Sequence, residues 1–238
     1  MEALTLLLDY DGTLVPIVSR PEDAAPDEEL LDLLRELAAG ADVHVVSGRT
    51  RDVLDAWLGA LPISLHAEHG AFSRAKGAAW QPRFSIDASW LGEAGRAMKS
   101  RALTGASIEQ KTTSIAWHYR NADPKAAQVA LAELRAELAP LAAAHRLNLL
   151  DGACVLELRD SRANKGDVAR AIAASAPAGA SIVAFGDDTT DEDMFAALPN
   201  ALTIKVGDGP TVARERVANS YDVRLRLSEL ARHLKQRR

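Results

Sequence analysis

A run of strand length, LTLLL at residues 4–8, ends in two aspartates, Asp9 and Asp11, with only Tyr10 between them. A run this apolar reads as a strand buried on both faces, and such strands belong to parallel sheets covered by helices. Two carboxylates so close repel each other, and burying either one without a partner is costly. The chain must therefore deliver compensating charge to the end of this strand.

The following stretches keep the same rhythm. "PDEELLDLLRELAAG" spaces Leu30, Leu33, Leu34 and Leu37 along one helical face, with acidic residues in the first turn and Gly40 as a stop. "DVHVVSGR" reads as a second strand, "TRDVLDAWLG" as a second helix and "PISLHAEHG" as a third strand. The pattern then changes. "AFSRAKGAAWQPR" predicts a hairpin with Gly77 near its turn, followed by a helix over 87–102 and one long strand, "SIEQKTTSIAWHYR". A helix from Pro124 to His145 precedes "LNLLDGACVLELRD", which predicts two strands turning at Asp151-Gly152. Helix "NKGDVARAIAAS", strand "SIVAFGDD", helix "DEDMFAAL" and strand "ALTIKVG" restore the first pattern. The expected fold is α/β, a doubly wound, Rossmann-like parallel sheet formed by residues 1–82 and 160–238. Residues 83–159 are expected to form an inserted α+β cap.

Composition narrows the function. The 238 residues carry 28 basic and 33 acidic side chains, a net charge of −5. Nucleic-acid and membrane-surface proteins usually show a basic excess, so neither partner is expected. A phosphate ligand stays compatible, because the local field at a site governs its binding. The single cysteine, Cys154 in "ACVLEL", allows no disulfide within the chain and is expected to be a buried core thiol. No basic segment leads into a long apolar stretch at the start, and no run approaches a membrane span, so a cytoplasmic location is expected; the expected oligomeric state is a monomer.

Ligands of open α/β sheets bind beyond the carboxyl ends of the strands. Asp9/Asp11, Ser47, Lys165 and Asp187/Asp188/Asp191 all fall at such ends or at the start of a following helix. Each alone has a bland role: turn chemistry for Asp11-Gly12, a helix cap for Ser47, a solvated lysine, a solvated acidic loop. Together, several carboxylates at one sheet edge require a cation, and acidic oxygens suit Mg²⁺, which also accepts phosphate oxygens as ligands. An EF-hand is a poor alternative, since Glu192 stands where its glycine would fall. With Mg²⁺ present, one carboxylate of the opening pair is placed to attack phosphorus and the other to act as acid and base. Ser47 and Lys165 would hold the phosphoryl oxygens.

The order DYDGTL, SGR, a lysine in NKG, then GDDTTDED resembles the haloacid dehalogenase (HAD) superfamily of phosphohydrolases. "LDYDGTLVPI", "EHGA", "HYRNAD", "LELR", "NKG" and "GDDTTDEDMF" are similar to stretches of the trehalose-6-phosphate phosphatase family. The resemblance implies Asp9 as nucleophile and Asp11 as acid/base. It implies Mg²⁺ held by the Asp9 side chain, the Asp11 carbonyl and Asp187, with Asp188 and Asp191 in support. Gly48 and Arg49, beside Ser47, are implied to contact substrate. In the cap, Glu109, Lys111 and Glu157 match the family's sugar-reading residues, and Arg120 is a further candidate. Glu109 and Lys111, two apart on a strand, share a face; without the family match, a salt bridge on the cap surface would explain them. Two positions depart from the family pattern: Ser47 replaces a common threonine and keeps its hydroxyl, while Asp160 replaces a frequent proline and is expected to leave the cap's exit less stiff. Trp80, Trp90 and Trp117 are expected in packing roles, and His69 in support of the site.

The expected activity is Mg²⁺-dependent hydrolysis of trehalose 6-phosphate through an aspartyl phosphate. Alternatives are a phosphatase of sucrose phosphate or mannosyl-3-phosphoglycerate, or a phosphohexomutase. A phosphorylatable receiver domain fits poorly, because it lacks the D-x-D order and the inserted cap.

Overall fold

The computed structural model describes residues 3–18, 20–152 and 154–236. They form two compact units, Met1–Arg83 with Asn164–Arg238, and Phe84–Ala163.

The first unit holds an eight-stranded sheet. Its strands are β1 (Leu4–Leu8), β2 (Asp42–Val46), β3 (Ser64–Ala67), β4 (Phe72–Arg74), β5 (Gln81–Pro82), β10 (Ser181–Gly186), β11 (Leu202–Val206) and β12 (Glu215–Val217), in the order β12-β11-β10-β1-β2-β3-β4-β5. The six strands from β12 to β3 are parallel, and β4 and β5 complete the edge antiparallel. Helices α1 (Glu28–Ala38), α2 (Arg51–Leu58), α5 (Lys165–Ser175), α6 (Thr189–Ala196) and α7 (Ser220–Gln236) accompany it. β1 sits at the centre, where Leu6, Leu7 and Leu8 are fully buried, as its lack of polar alternation requires. The Asp27 side chain caps α1 by accepting the Leu30 amide at 2.8 Å, and the helix buries the predicted Leu30, Leu33, Leu34 and Leu37. No element was assigned from sequence to β12 or α7; α7 packs on α1, and its Arg224 donates to the Leu14 carbonyl at 2.8 Å.

The second unit has its own core. Strands β6 (Ser107–Gln110), β7 (Ser114–His118), β8 (Leu147–Gly152) and β9 (Val155–Asp160) form an antiparallel sheet ordered β6-β7-β9-β8. Helices α3 (Leu91–Ser100) and α4 (Pro124–His145) pack against it. Trp90, Met98, Ile115, Trp117, Leu134, Leu138, Leu156 and Leu158 fill the space between. Among the described residues no helix is long and apolar enough to cross a membrane.

The structure corrects three expectations. "SIEQKTTSIAWHYR" is a hairpin rather than one strand, closed where the Lys111 amide donates to the Ser114 carbonyl at 2.8 Å. Its turn lacks Gly, Pro and Asn, so the alternation looked continuous. Gly152 already pairs with Val155, so Asp151-Gly152 belongs to β8 rather than to the turn; Ala153 lies outside the described residues. Cys154 is exposed, at φ +64°, and not a core thiol. Asp160, at the end of β9, is buried and engages Arg162 through both oxygens, at 3.0 and 2.7 Å. The Arg162 guanidinium in turn lies 4.4 Å from the centre of the Phe84 ring.

Trp117 is 1% exposed. Trp117→Ala is expected to destabilise the second unit by about 3–5 kcal/mol in urea unfolding; a loss below about 1 kcal/mol would mean that this core is not closely packed.

Candidate active site

β1 and β10 are neighbours, and the chain leaves them in opposite directions, to β2 and β3 on one side and to β11 and β12 on the other. A crevice forms at such a reversal of strand order. Asp9 follows β1 and Asp187 follows β10. The Asp9 amide donates to the Phe185 carbonyl at 3.0 Å, which extends the strand pairing and holds the two aspartates at adjacent strand ends.

Lys165 opens α5 immediately after its cap, Asn164, whose side chain accepts the Gly166 and Asp167 amides at 2.7 and 3.2 Å. This fixes the lysine's direction. Its Nζ donates to Asp9 Oδ1 at 2.6 Å and to Asp191 Oδ1 at 2.8 Å, and only 3% of its side chain is exposed. Asp191, fully buried in the first turn of α6, accepts the Asp187 and Asp188 amides on its other oxygen, each at 3.1 Å. Both oxygens of Asp191 are thus committed. Asp188 caps α6 by accepting the Thr189 amide at 2.6 Å and stands outside the converging group.

Asp9, Asp187 and Asp191 each bring an oxygen within 4.8 Å of the others. Burial pushes the Asp187 carboxyl up to about 6, and the neighbouring Asp191 adds to the shift. Asp9 is raised too, by burial first and then by Asp191 and Asp187, against the pull of Lys165. Burial opposes charge on Lys165, but Asp191 and Asp9 outweigh it and lift its pKa above the usual lysine range. When all are ionised, three carboxylates against one ammonium leave a formal charge of −2.

The donor set fits a hard divalent cation such as Mg²⁺. Asp9 Oδ2 is buried with no hydrogen-bond partner among the described residues. Gly12, at φ +80°, lets the loop after β1 press against Asp187, where a Cβ would stand 2.0 Å from Oδ2. Only a residue without a side chain permits that approach.

A second group adjoins the first. Arg49 grips Asp11 with two hydrogen bonds, 2.8 Å to Oδ2 and 2.6 Å to Oδ1, and donates to the Pro21 carbonyl at 2.9 Å. Its guanidinium lies 5.0 Å from the centre of the Trp57 ring. Ser47, fully buried at the end of β2, accepts the Arg49 amide on Oγ at 3.1 Å; the N-cap of α2 is Thr50 instead. The "EHGA" stretch supports this loop. Glu68 and His69 take left-handed conformations, the His69 amide donates to the Ser47 carbonyl at 2.9 Å, and a Cβ on Gly48 would stand 2.7 Å from the His69 ring.

In the second unit, Glu109, Ala116 and Glu157 lie in one row across β6, β7 and β9. Glu109 meets Lys111 at 3.4 Å and His118 Nε2 at 3.1 Å. The His118 hydrogen bond and the Lys111 charge hold the Glu109 carboxyl down to about 2, against the effect of burial. Glu157 lies 3.7 Å from the buried Arg159. Arg120 follows the end of β7 and is exposed. Trp90 and Trp117 are core residues, while Trp80 donates to Asp55 at 2.8 Å.

Sequence reasoning passed over His118, the Arg49–Asp11 pair and Lys205. The signal for Lys205 was a lysine inside an apolar strand, LTIKV.

The family model for trehalose-phosphatase matches residues 7–226. The chain belongs to the trehalose-phosphatase family. It is 45% identical over 230 residues to a bifunctional trehalose-6-phosphate synthase/phosphatase of Thermoproteus tenax, covering 94% of this chain but only 31% of that longer protein. The C-terminal domain of Candida albicans trehalose-6-phosphate phosphatase superposes with a TM-score of 0.87 at 29% identity, covering 97% of this chain and 92% of that one. A haloacid dehalogenase-like hydrolase from Bacteroides thetaiotaomicron shares the fold, with a TM-score of 0.70 at 11% identity and 99% of each chain covered.

The raised pKa of Asp187 gives a test of this family member's site. A native carboxyl that holds its proton more tightly than the unfolded one is fully stabilising only below about pH 4, and that contribution is lost as pH rises through about 6. In chelator, Asp187→Asn is therefore expected to stabilise the protein at pH 7 by about 1–3 kcal/mol, with the gain shrinking toward pH 4. Denaturation across that range checks it; a variant less stable than wild type at pH 7 would contradict it.

Proposed function

We propose that the chain is a Mg²⁺-dependent phosphatase that hydrolyses trehalose 6-phosphate, with Asp9 as nucleophile. The reading rests on the junction of Asp9, Asp187, Asp191 and Lys165 at neighbouring strand ends, in a chain of the trehalose-phosphatase family.

Asp9, Asp187 and the Asp11 carbonyl would hold Mg²⁺, which would supply charge neutralisation for the phosphoryl group. Lys165 holds Asp9 Oδ1, which orients the carboxylate and leaves Oδ2 without a donor. Asp9 attacks phosphorus, the bond from phosphorus to the sugar oxygen breaks, and Asp11 gives that oxygen a proton. Asp11 then takes a proton from water as the water oxygen attacks phosphorus; the bond to Asp9 breaks, freeing phosphate and restoring the carboxylate. For these transfers the Arg49–Asp11 pair must open, and the released guanidinium, with Ser47 and Gly48, serves the phosphoryl oxygens. Asp191 acts by holding Lys165 and the 187–188 amides, and Asp188 by capping α6. Glu109, Lys111 and Glu157 read the sugar hydroxyls, and Arg120 serves as a further substrate contact.

Phosphate release from trehalose 6-phosphate, sucrose 6-phosphate, glucose 6-phosphate and mannosyl-3-phosphoglycerate, with and without Mg²⁺, tests the reading. Strong preference for the first, abolished by chelation, is expected; preference for another member would overturn the sugar assignment and keep the chemistry. Asp9→Asn should reduce turnover by about 10³-fold or more while the melting transition persists. Glu109→Ala should impair the disaccharide substrate far more than a small aryl phosphate. Equal losses on both would make Glu109 a structural residue.

A further inference from the structure

The acidic loop after β10 gathers Asp187, Asp188, Asp191 and Glu192 within six residues, and Lys165 answers it from one side only. A second lysine answers from the other. Lys205 lies in β11 in register with Gly186, the last residue of β10, and is 5% exposed. Its Nζ donates to the Asp187 carbonyl. Glu192 Oε1 stands 4.0 Å from the same Nζ and is buried with no hydrogen-bond partner among the described residues. Glu192 Oε2 accepts the Val212 amide at 2.8 Å and the Thr211 hydroxyl at 3.2 Å.

The backbone around Asp187 is thus gripped at two points. Asp191 takes the amides of residues 187 and 188, and Lys205 takes the carbonyl of 187. With both ends of the residue held and Gly12 against its carboxylate, Asp187 keeps an oxygen within 4.8 Å of Asp9 and Asp191. A neutral donor would also bond the carbonyl. A buried ammonium also adds positive charge at the base of the acidic loop, where low polarity makes it effective.

We propose that Lys205 is a positioning residue that presents Asp187 to the divalent cation, acting through the Asp187 carbonyl with Glu192 as its counter-ion. The proposal rests on the cation site proposed above. Groups that orient metal ligands from behind typically contribute 10- to 100-fold in metal affinity.

The test is calorimetric titration of MgCl₂ into the purified, chelator-stripped full chain, with a thermal melt of each variant. Lys205→Met is expected to weaken Mg²⁺ binding by about 10- to 100-fold while a cooperative melt remains. Lys205→Arg, which keeps charge and donor, should restore most of the affinity, and Lys205→Gln should fall between. Mg²⁺ binding by Lys205→Met as tight as wild type, or no recovery with Arg, would overturn the proposal. Should the Met variant fail to fold, Gln takes its place under the same criteria; failure of both while Arg folds and binds would assign Lys205 to packing alone and overturn it as well. Wild type that takes up no Mg²⁺ would overturn the cation site itself, and the lysine's role with it. Wild type that binds while Lys205→Met binds equally well would overturn only the lysine.

Discussion

Everything in the core unit is arranged around one buried ion triad, Lys165 between Asp9 and Asp191. The three groups come from the end of β1, the start of α5 and the first turn of α6, residues up to 182 positions apart in the chain. None of them is stable alone at that depth, since each would be a charge stripped of water without a partner. Together they hold β1, α5 and α6 in one relation. Asp187 then adds a carboxylate that the triad does not neutralise. The remaining negative charge is a structural cost in the isolated chain, and an attraction for a cation once one arrives.

The strand order explains why this charge collects where it does. In a sheet built outward from β1 in both directions, the first strand's end has loops departing to left and right, which leaves open space above it. Leu6, Leu7 and Leu8 fill the buried part of β1 up to Asp9, so the chemistry begins where the strand ends. Helix capping does much of the fine placement. Asn164 starts α5 at Lys165, Asp188 starts α6, and Asp191 ties the backbone of residues 187 and 188 that leads into it. Local backbone needs and site geometry are met by the same side chains.

The second unit solves a different problem. Its sheet buries Ile115, Trp117, Leu156 and Leu158 against α3 and α4, so alternation sends Glu109, Ala116, His118, Glu157 and Arg159 to the other face. That face carries charge in pairs: Glu109 with Lys111 and His118, Glu157 with Arg159. Paired donors and acceptors on a rigid sheet suit recognition of a polyol, the role proposed for this unit.

The sequence by itself determined what periodicity and spacing encode. The bounds of α4, the buried face of α1 and the parallel core strands were legible because apolar spacing directly reports which side chains leave water. The D-x-D pair, the NKG lysine and the acidic loop were legible as candidates because each follows a strand or opens a helix. Tertiary structure decided everything that depends on which partner a charge finds. That Asp191 serves the backbone and Lys165, that Asp188 is a cap, that Arg49 holds Asp11 and that Lys205 reaches the Asp187 carbonyl follow from contacts between distant segments, which no local pattern carries. The hairpin at Lys111–Ser114 and the exposure of Cys154 belong here too. The turn at Lys111–Ser114 lacks Gly, Pro and Asn, so long-range strand pairing fixed it rather than local propensity.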